Sequence, residues 1–143
     1  MKVTLDATVW LAALSPAERD HAKCESLVSS LIERGVRLHQ PGLFVIEVCA
    51  TVARRTGNRV LAIEAGRATL GVPGLVVHAL DHDLAAEAAE IAAACALRGA
   101  DAVYVATARR TDATLLTLDR ELRERAAPMA AVRTPGEWMR EMT

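Results

Sequence analysis

The sequence predicts an α/β fold: a three-layer α/β/α sandwich with a central parallel sheet of four to five strands, formed by residues 1–143 as a single domain. Three observations lead there. Short apolar runs alternate with longer segments of helical character, and strands separated by helices favour parallel pairing with both faces covered. Apolar residues make up 52% of the chain and charged residues 24%, enough for a packed core and too apolar for disorder. A length of 143 residues suits one domain, and no repeat, linker or low-complexity tract divides it.

The elements follow in order. Residues 2–6 form a short strand, and 8–14 a brief helix with Thr8 as its cap. Ser15, Pro16 and Glu18 supply a cap, a first-turn proline and a glutamate three on from the serine. They predict a helix running to Arg34 and stopped by Gly35. Residues 36–39 give a second strand. Pro41 and Gly42 turn the chain into a helix from Leu43 to Arg55, ended by Gly57, and Asn58 caps another to Leu70, ended by Gly71. A third strand covers 75–80. Asp83 caps an alanine-rich helix over 84–97, which Gly99 ends, and a helix from Asp101 to Arg110 follows. Residues 114–118 form the fourth strand, a short helix starts near Arg120, and a fifth strand falls at 130–133. Thr134 to Met139 form a capped helical turn.

Composition excludes several classes. Lys2 is followed by only a few apolar residues before Asp6, which is no secretory pattern. The longest apolar stretch, Leu84 to Ala108, is interrupted by Glu87, Glu90, Arg98 and Asp101, so no ordinary transmembrane helix is expected. The expectation is a soluble, cytoplasmic protein with no membrane contact. Cys24, Cys49 and Cys95 are scattered and odd in number, and His21, His39, His78 and His82 lack a metal-ligand spacing. The net charge of −1 gives no global basic field. Local arginine clusters lie at Arg54, Arg55 and Arg59, at Arg109 and Arg110, and at Arg120, Arg123 and Arg125. Each is explained alone as a solvated helix face, although arginine suits bidentate phosphate contacts.

Four acids carry the chemistry. Asp6 ends the apolar run VTLD, Glu47 lies inside LFVIEVCATVA, Asp101 opens ADAVYVATARR, and Asp119 ends LLTLD. In isolation each aspartate is explained as a helix cap. Glu47 is not: Phe44, Val45, Ile46, Val48 and Cys49 surround it, so it points inward or into a cleft. An unpaired buried carboxylate is costly, so these acids need cationic partners or a shared cation. Asp6 and Asp119 close the matching tripeptides Thr4-Leu5-Asp6 and Thr117-Leu118-Asp119, and they meet if strands one and four are neighbours. In such a sheet, ligands bind beyond the carboxyl ends of the strands.

The succession LDATVWLAAL, PGLFVIEVCA, RGADAVYVATA and LLTLDREL resembles the PIN-domain ribonucleases, most closely the VapC-type toxins of bacterial toxin–antitoxin pairs. The resemblance covers Val3 to Leu122 and lies in the order and spacing of motifs that are weak singly. It implies a PIN-like fold. It places the family's first aspartate on Asp6, its helix glutamate on Glu47, its helix-start aspartate on Asp101, its last acid on Asp119 and its hydroxyl residue on Thr117. Thr8 stands where the family often has serine or asparagine. The implied activity is RNA cleavage with Mg2+ (or Mn2+), leaving a 5′-phosphate and a 3′-hydroxyl. Asp6 and Asp101 would be the foremost metal ligands, Glu47 and Asp119 further ligands or orienters of the nucleophile, and Thr117 a hydroxyl holding an oxygen. The implied partners are an RNA substrate, a second copy of the chain in a homodimer, and a cognate antitoxin over the acidic cleft. Residues from Pro128 onward carry no motif. Two other readings stand beside this one: a PIN-domain nuclease of ordinary RNA processing without an antitoxin, and a non-catalytic interaction module whose acids are only caps. A receiver-type phosphoacceptor domain would need paired acids after the first strand and a lysine after the last. VTLDATVW has one acid, and no lysine follows Lys23.

Overall fold

The computed structural model describes residues 1–143. Five parallel strands lie in the order β3–β2–β1–β4–β5. They are β1 (Lys2–Leu5), β2 (Arg37–Pro41), β3 (Leu75–His78), β4 (Thr114–Leu116) and β5 (Val132–Arg133). Between and after them run α1 (Ala7–Leu14), α2 (His21–Glu33), α3 (Leu43–Thr56), α4 (Arg59–Leu70), α5 (His82–Cys95), α6 (Gly99–Thr111), α7 (Arg120–Ala126) and α8 (Pro135–Glu141). From β1 the chain steps outward to β2 and β3, then crosses back past β1 to β4. Right-handed crossovers therefore put α1 to α4 on one face and α5 and α6 on the other. Packing agrees: α1 contacts α2 and α3, α2 contacts α8, and α6 lies against α5, β1, β2 and β4. No single helix is long and apolar enough to cross a membrane.

The reversal of direction falls at β1, and such a switch point is where open α/β sheets bind ligands. Val3, Thr4 and Leu5 are wholly buried. Strand β1 pairs with β4 as far as Leu5↔Leu116, but with β2 only at Lys2↔Arg37 and Val3↔Leu38. Past Val3 the buried Gln40 side chain takes over the ladder. Its Oε1 accepts from Leu5 N at 2.6 Å, and its Nε2 donates to Leu5 O at 2.8 Å. Both polar groups of a buried peptide are thereby satisfied, and the end of β1 is fixed just before Asp6.

Several sequence boundaries are corrected by local chemistry. Asp6, not Thr8, caps α1, since its carboxylate accepts from Thr8 N. Ser15 closes α1 instead of opening the next helix. Turns occupy residues 16–20, and α2 starts at His21. Glu18 pairs with Arg55 at 2.7 Å rather than completing a capping box. Asp81, not Asp83, caps α5, accepting from Leu84 N at 2.8 Å. That helix ends on Ala96, left-handed at φ 52°, so Gly99 does not stop it and instead begins α6. Asp101 therefore lies within the first turn of α6 and is not its N-cap; Arg98 holds that position. The third and fourth strands end early, at His78 and Leu116.

Candidate active site

Asp6 leaves the end of β1 with its N–H on the Leu116 carbonyl at 3.0 Å, and it is only 7% exposed. Hydroxyls hold its carboxylate. Oδ2 accepts from Thr117 Oγ1 at 2.9 Å and from Thr8 Oγ1 at 3.0 Å, while Oδ1 takes the Thr8 N–H at 3.4 Å. Burial raises its pKa and outweighs these hydrogen bonds, which act downward; the charge of Asp101 adds to the rise. No cation appears among the groups that act on it.

Glu47 reaches the same place from α3. Its pKa is raised, first by burial and then by the charges of Asp6 and Asp101, against a lowering contribution from the Tyr104 hydroxyl. Tyr104, one turn after Asp101 on α6, is 1% exposed, and its own pKa is driven far upward by burial and by the Glu47 charge. The two groups feel each other, yet Glu47 Oε1 and Tyr104 Oη are both buried without a well-formed hydrogen bond. Buried polar atoms without a partner are uncommon and costly.

The two strand-end tripeptides meet out of step. Strands β1 and β4 are neighbours, the condition on which the two acids could meet, but Leu5 pairs with Leu116, so Thr117 stands opposite Asp6. Asp119 lies two residues further on. Thr117 joins the two: its hydroxyl donates to Asp6 and accepts from Asp119 N at 3.0 Å. Asp119 also caps α7, with Oδ1 accepting from Leu122 N at 3.1 Å. Its other oxygen lies 3.8 Å from Arg98 Nη2, and Arg98 Nε lies 3.3 Å from Asp101 Oδ2. Asp6, Glu47 and Asp101 thus form an electrostatically coupled set, and Asp119 joins it through Thr117 and Arg98.

The donor set fits a hard divalent cation. Every candidate ligand atom is a carboxylate oxygen, as Mg2+ and Mn2+ prefer. Asp6 is buried without a counter-charge, and Glu47 Oε1 is buried without a partner. As the side chains stand, no three His, Cys, Asp or Glu are grouped closely enough to hold a metal ion, and Arg98 spans Asp101 and Asp119, so the fit lies in the chemistry of the donors alone. Magnesium keeps several waters and needs no complete protein cage.

Sequence reasoning gave Gln40 and Arg98 no part in the site. The signal for Gln40 was a polar residue in a strand-like stretch, and for Arg98 a cation three residues before Asp101. Half of the clustered arginines are ion-paired: Arg55 with Glu18, Arg110 with Asp81 and Glu87, Arg120 with Glu124, and Arg125 with Glu121. Trp10 and Phe44 are core residues packed edge to face at 5.9 Å.

Comparison with known proteins bears on this arrangement. A scan against protein-family models matches the PIN domain over residues 3–128. Comparison with curated proteins gives no match. Solved structures similar to this chain include FitAcB from Neisseria gonorrhoeae, 24% identical, with a TM-score of 0.72 and coverage of 95% of this chain and 99% of that one. VapC20 of Mycobacterium tuberculosis, described as a sarcin–ricin loop cleaving toxin, is 21% identical, with a TM-score of 0.75 and coverage of 92% and 98%. VapBC2 from Rickettsia felis, bound to a promoter DNA fragment, is 12% identical, with a TM-score of 0.73 and coverage of 94% and 98%. At these identities the likeness is one of fold.

Proposed function

Because the chain belongs to the PIN-domain family, we propose that it is a metal-dependent endoribonuclease and that it acts as the toxin of a toxin–antitoxin pair. The observation that carries the nuclease reading is Asp6: a buried carboxylate without a counter-charge, coupled to Glu47 and Asp101 at the carboxyl edge of the sheet. An interaction module whose acids are only caps does not account for Glu47, which caps nothing.

Asp6, Asp101, Glu47 and Asp119 would hold Mg2+ or Mn2+, directly or through water. When bound, the ion supplies Lewis-acid polarisation of a phosphoryl group and acidifies water. The chain's own residues set the geometry. Thr117 and Thr8 fix the Asp6 carboxylate through hydrogen bonds, and Thr117 ties the Asp119 segment to it. Glu47, which reaches the cluster from α3 and caps no helix, takes the proton of the attacking water as general base. Water adds to phosphorus, and the bond to the 3′-oxygen breaks. That oxygen leaves taking a proton from solvent water to become the 3′-hydroxyl, and the phosphate stays on the 5′ side.

The toxin reading is supported by the likeness to VapC20, which is described as a sarcin–ricin loop cleaving toxin. It also has a physical footing. A groove of about 500 Å³ is lined by Trp10, Leu11, Leu14, Val52, Leu61 and Ala65 of α1, α3 and α4, the helices that follow Asp6 and carry Glu47. An antitoxin segment would bury an apolar stretch there and extend an arginine to the carboxylates. Ile46 and Val60 are each 65% exposed on the α3–α4 pair, a surface suited to a second copy of the chain. Expression of the chain alone should arrest growth, and co-expression of the adjacent gene product should relieve the arrest and yield a stable complex. A chain that is harmless, monomeric and without such a neighbour is instead a nuclease of ordinary RNA processing.

A further inference from the structure

Arg98 contacts the acidic site, and the catalytic scheme gives it no part. Its Nε stands 3.3 Å from Asp101 Oδ2 and its Nη2 3.8 Å from Asp119 Oδ2, with 81% of the side chain exposed. Tight charged hydrogen bonds are about 2.7–2.9 Å long, and exposed pairs looser than that are weakly held. The base of the side chain, by contrast, is fixed. The Arg98 carbonyl accepts from Ala102 N at 3.0 Å as α6 begins. Two residues earlier, Arg125 donates to the Ala96 carbonyl at 2.6 Å, which ties this turn to α7. Arg98, Asp101, Asp119 and Arg125 together line a cleft of about 250 Å³.

We infer that Arg98 is an exchangeable phosphate-binding residue: it bridges Asp101 and Asp119 in the free protein and transfers to a backbone phosphate when RNA enters the cleft. The inference rests on the ribonuclease reading above. A phosphodiester presents two non-bridging oxygens, which match the Nε and Nη2 donors now divided between two carboxylates. When a divalent cation takes up the carboxylate charge, the guanidinium loses its anionic partners, and an incoming phosphate replaces them. Arg125 shares the cleft but is committed to Ala96 and to Glu121, the latter at 2.6 Å. Exchange therefore falls to Arg98.

The test measures binding and turnover in one series. A labelled single-stranded RNA is titrated with wild type, R98A and R98K in Ca2+ over a range of salt, by fluorescence anisotropy. Cleavage of the same RNA is followed in Mg2+. R98A should weaken binding about tenfold at low salt and lower the salt slope by about 0.7, the contribution of one phosphate contact on a single strand. R98K should keep the slope while losing part of the affinity, because an ammonium makes the charge contact but not the bidentate one. Calorimetric Mn2+ titration without RNA should show tighter metal binding for R98A, since a competing cation has gone. Wild type that cleaves RNA, with an R98A salt slope and affinity equal to its own, overturns the inference alone. Wild type that neither binds nor cleaves RNA overturns the ribonuclease reading and the inference with it.

Discussion

Glu47 shows how burial sets the sign of a pH effect. Its folded-state pKa is raised by burial and by the charges of Asp6 and Asp101, and Asp6 shifts in the same direction. A raised carboxyl pKa means that the folded chain holds the proton more tightly than the unfolded one. The stability this contributes is fully present below the unfolded pKa and is lost as pH rises through the folded value. Glu47→Gln removes the charged form, so in chelator it should raise the melting temperature at neutral pH by roughly 3 °C, the scale of ~1 kcal/mol in a domain of this size. The gain should vanish towards pH ~3, below the unfolded glutamate pKa of about 4.3, where the wild-type carboxyl is protonated in both states. Thermal melts across pH check this; a gain that grows on acidification contradicts it. Thr117→Val removes a buried hydroxyl that serves both Asp6 and Asp119 N. It should cost about 1–3 kcal/mol in urea unfolding, with Thr117→Ser close to wild type. Glu47 was legible in the sequence because its neighbours are apolar. Gln40 was not, because its partner Leu5 lies 35 residues away, and Arg98 was only half legible, since Asp101 is three residues on but Asp119 is 21 residues away.

At the scale of elements, the α3–α4 pair has the closest contact. A Cβ placed on Gly66 would collide with Cys49 Sγ, so the two helices approach through a missing side chain. Gly66→Ala gains helix propensity of about 1 kcal/mol but overpacks the interface, which typically costs about 1–3 kcal/mol. The single variant should therefore be destabilised or neutral. Adding Cys49→Ala should make the pair more stable than Cys49→Ala alone, and a double-mutant cycle reads that coupling. Additive values would show that the helices adjust without strain. Some helix ends were legible: Asn58 caps α4, Gly57 ends α3 at φ 64°, and Thr134 with Glu137 forms a capping box. Others were misplaced, among them the starts of α1 and α5, where a second capping residue lay two positions away. Ala96 adopts a left-handed conformation without being glycine, and the Ser15-Pro16 signature lies in turns because α1 has only just closed there.

On the scale of the molecule, alternation of strands and helices was enough to predict the parallel sheet, but not its order or register. The order decides the chemistry. Because β1 lies between β2 and β4, Asp6 sits at the switch point with α3 and α6 bringing Glu47 and Asp101 towards it. Register then puts Thr117, not Asp119, opposite Asp6, which no count along the sequence gives. If one cation is what these acids share, a single carboxylate should control turnover while the fold persists. The direct measurement is cleavage of RNA by wild type and by Asp6→Asn, with Mg2+ or Mn2+ and with chelator, alongside circular dichroism of both proteins. Wild type should cleave only with metal, chelation should be reversed by adding the metal back, and Asp6→Asn should be folded and inactive. Metal-independent cleavage, or a folded Asp6→Asn protein with wild-type activity, would contradict the account.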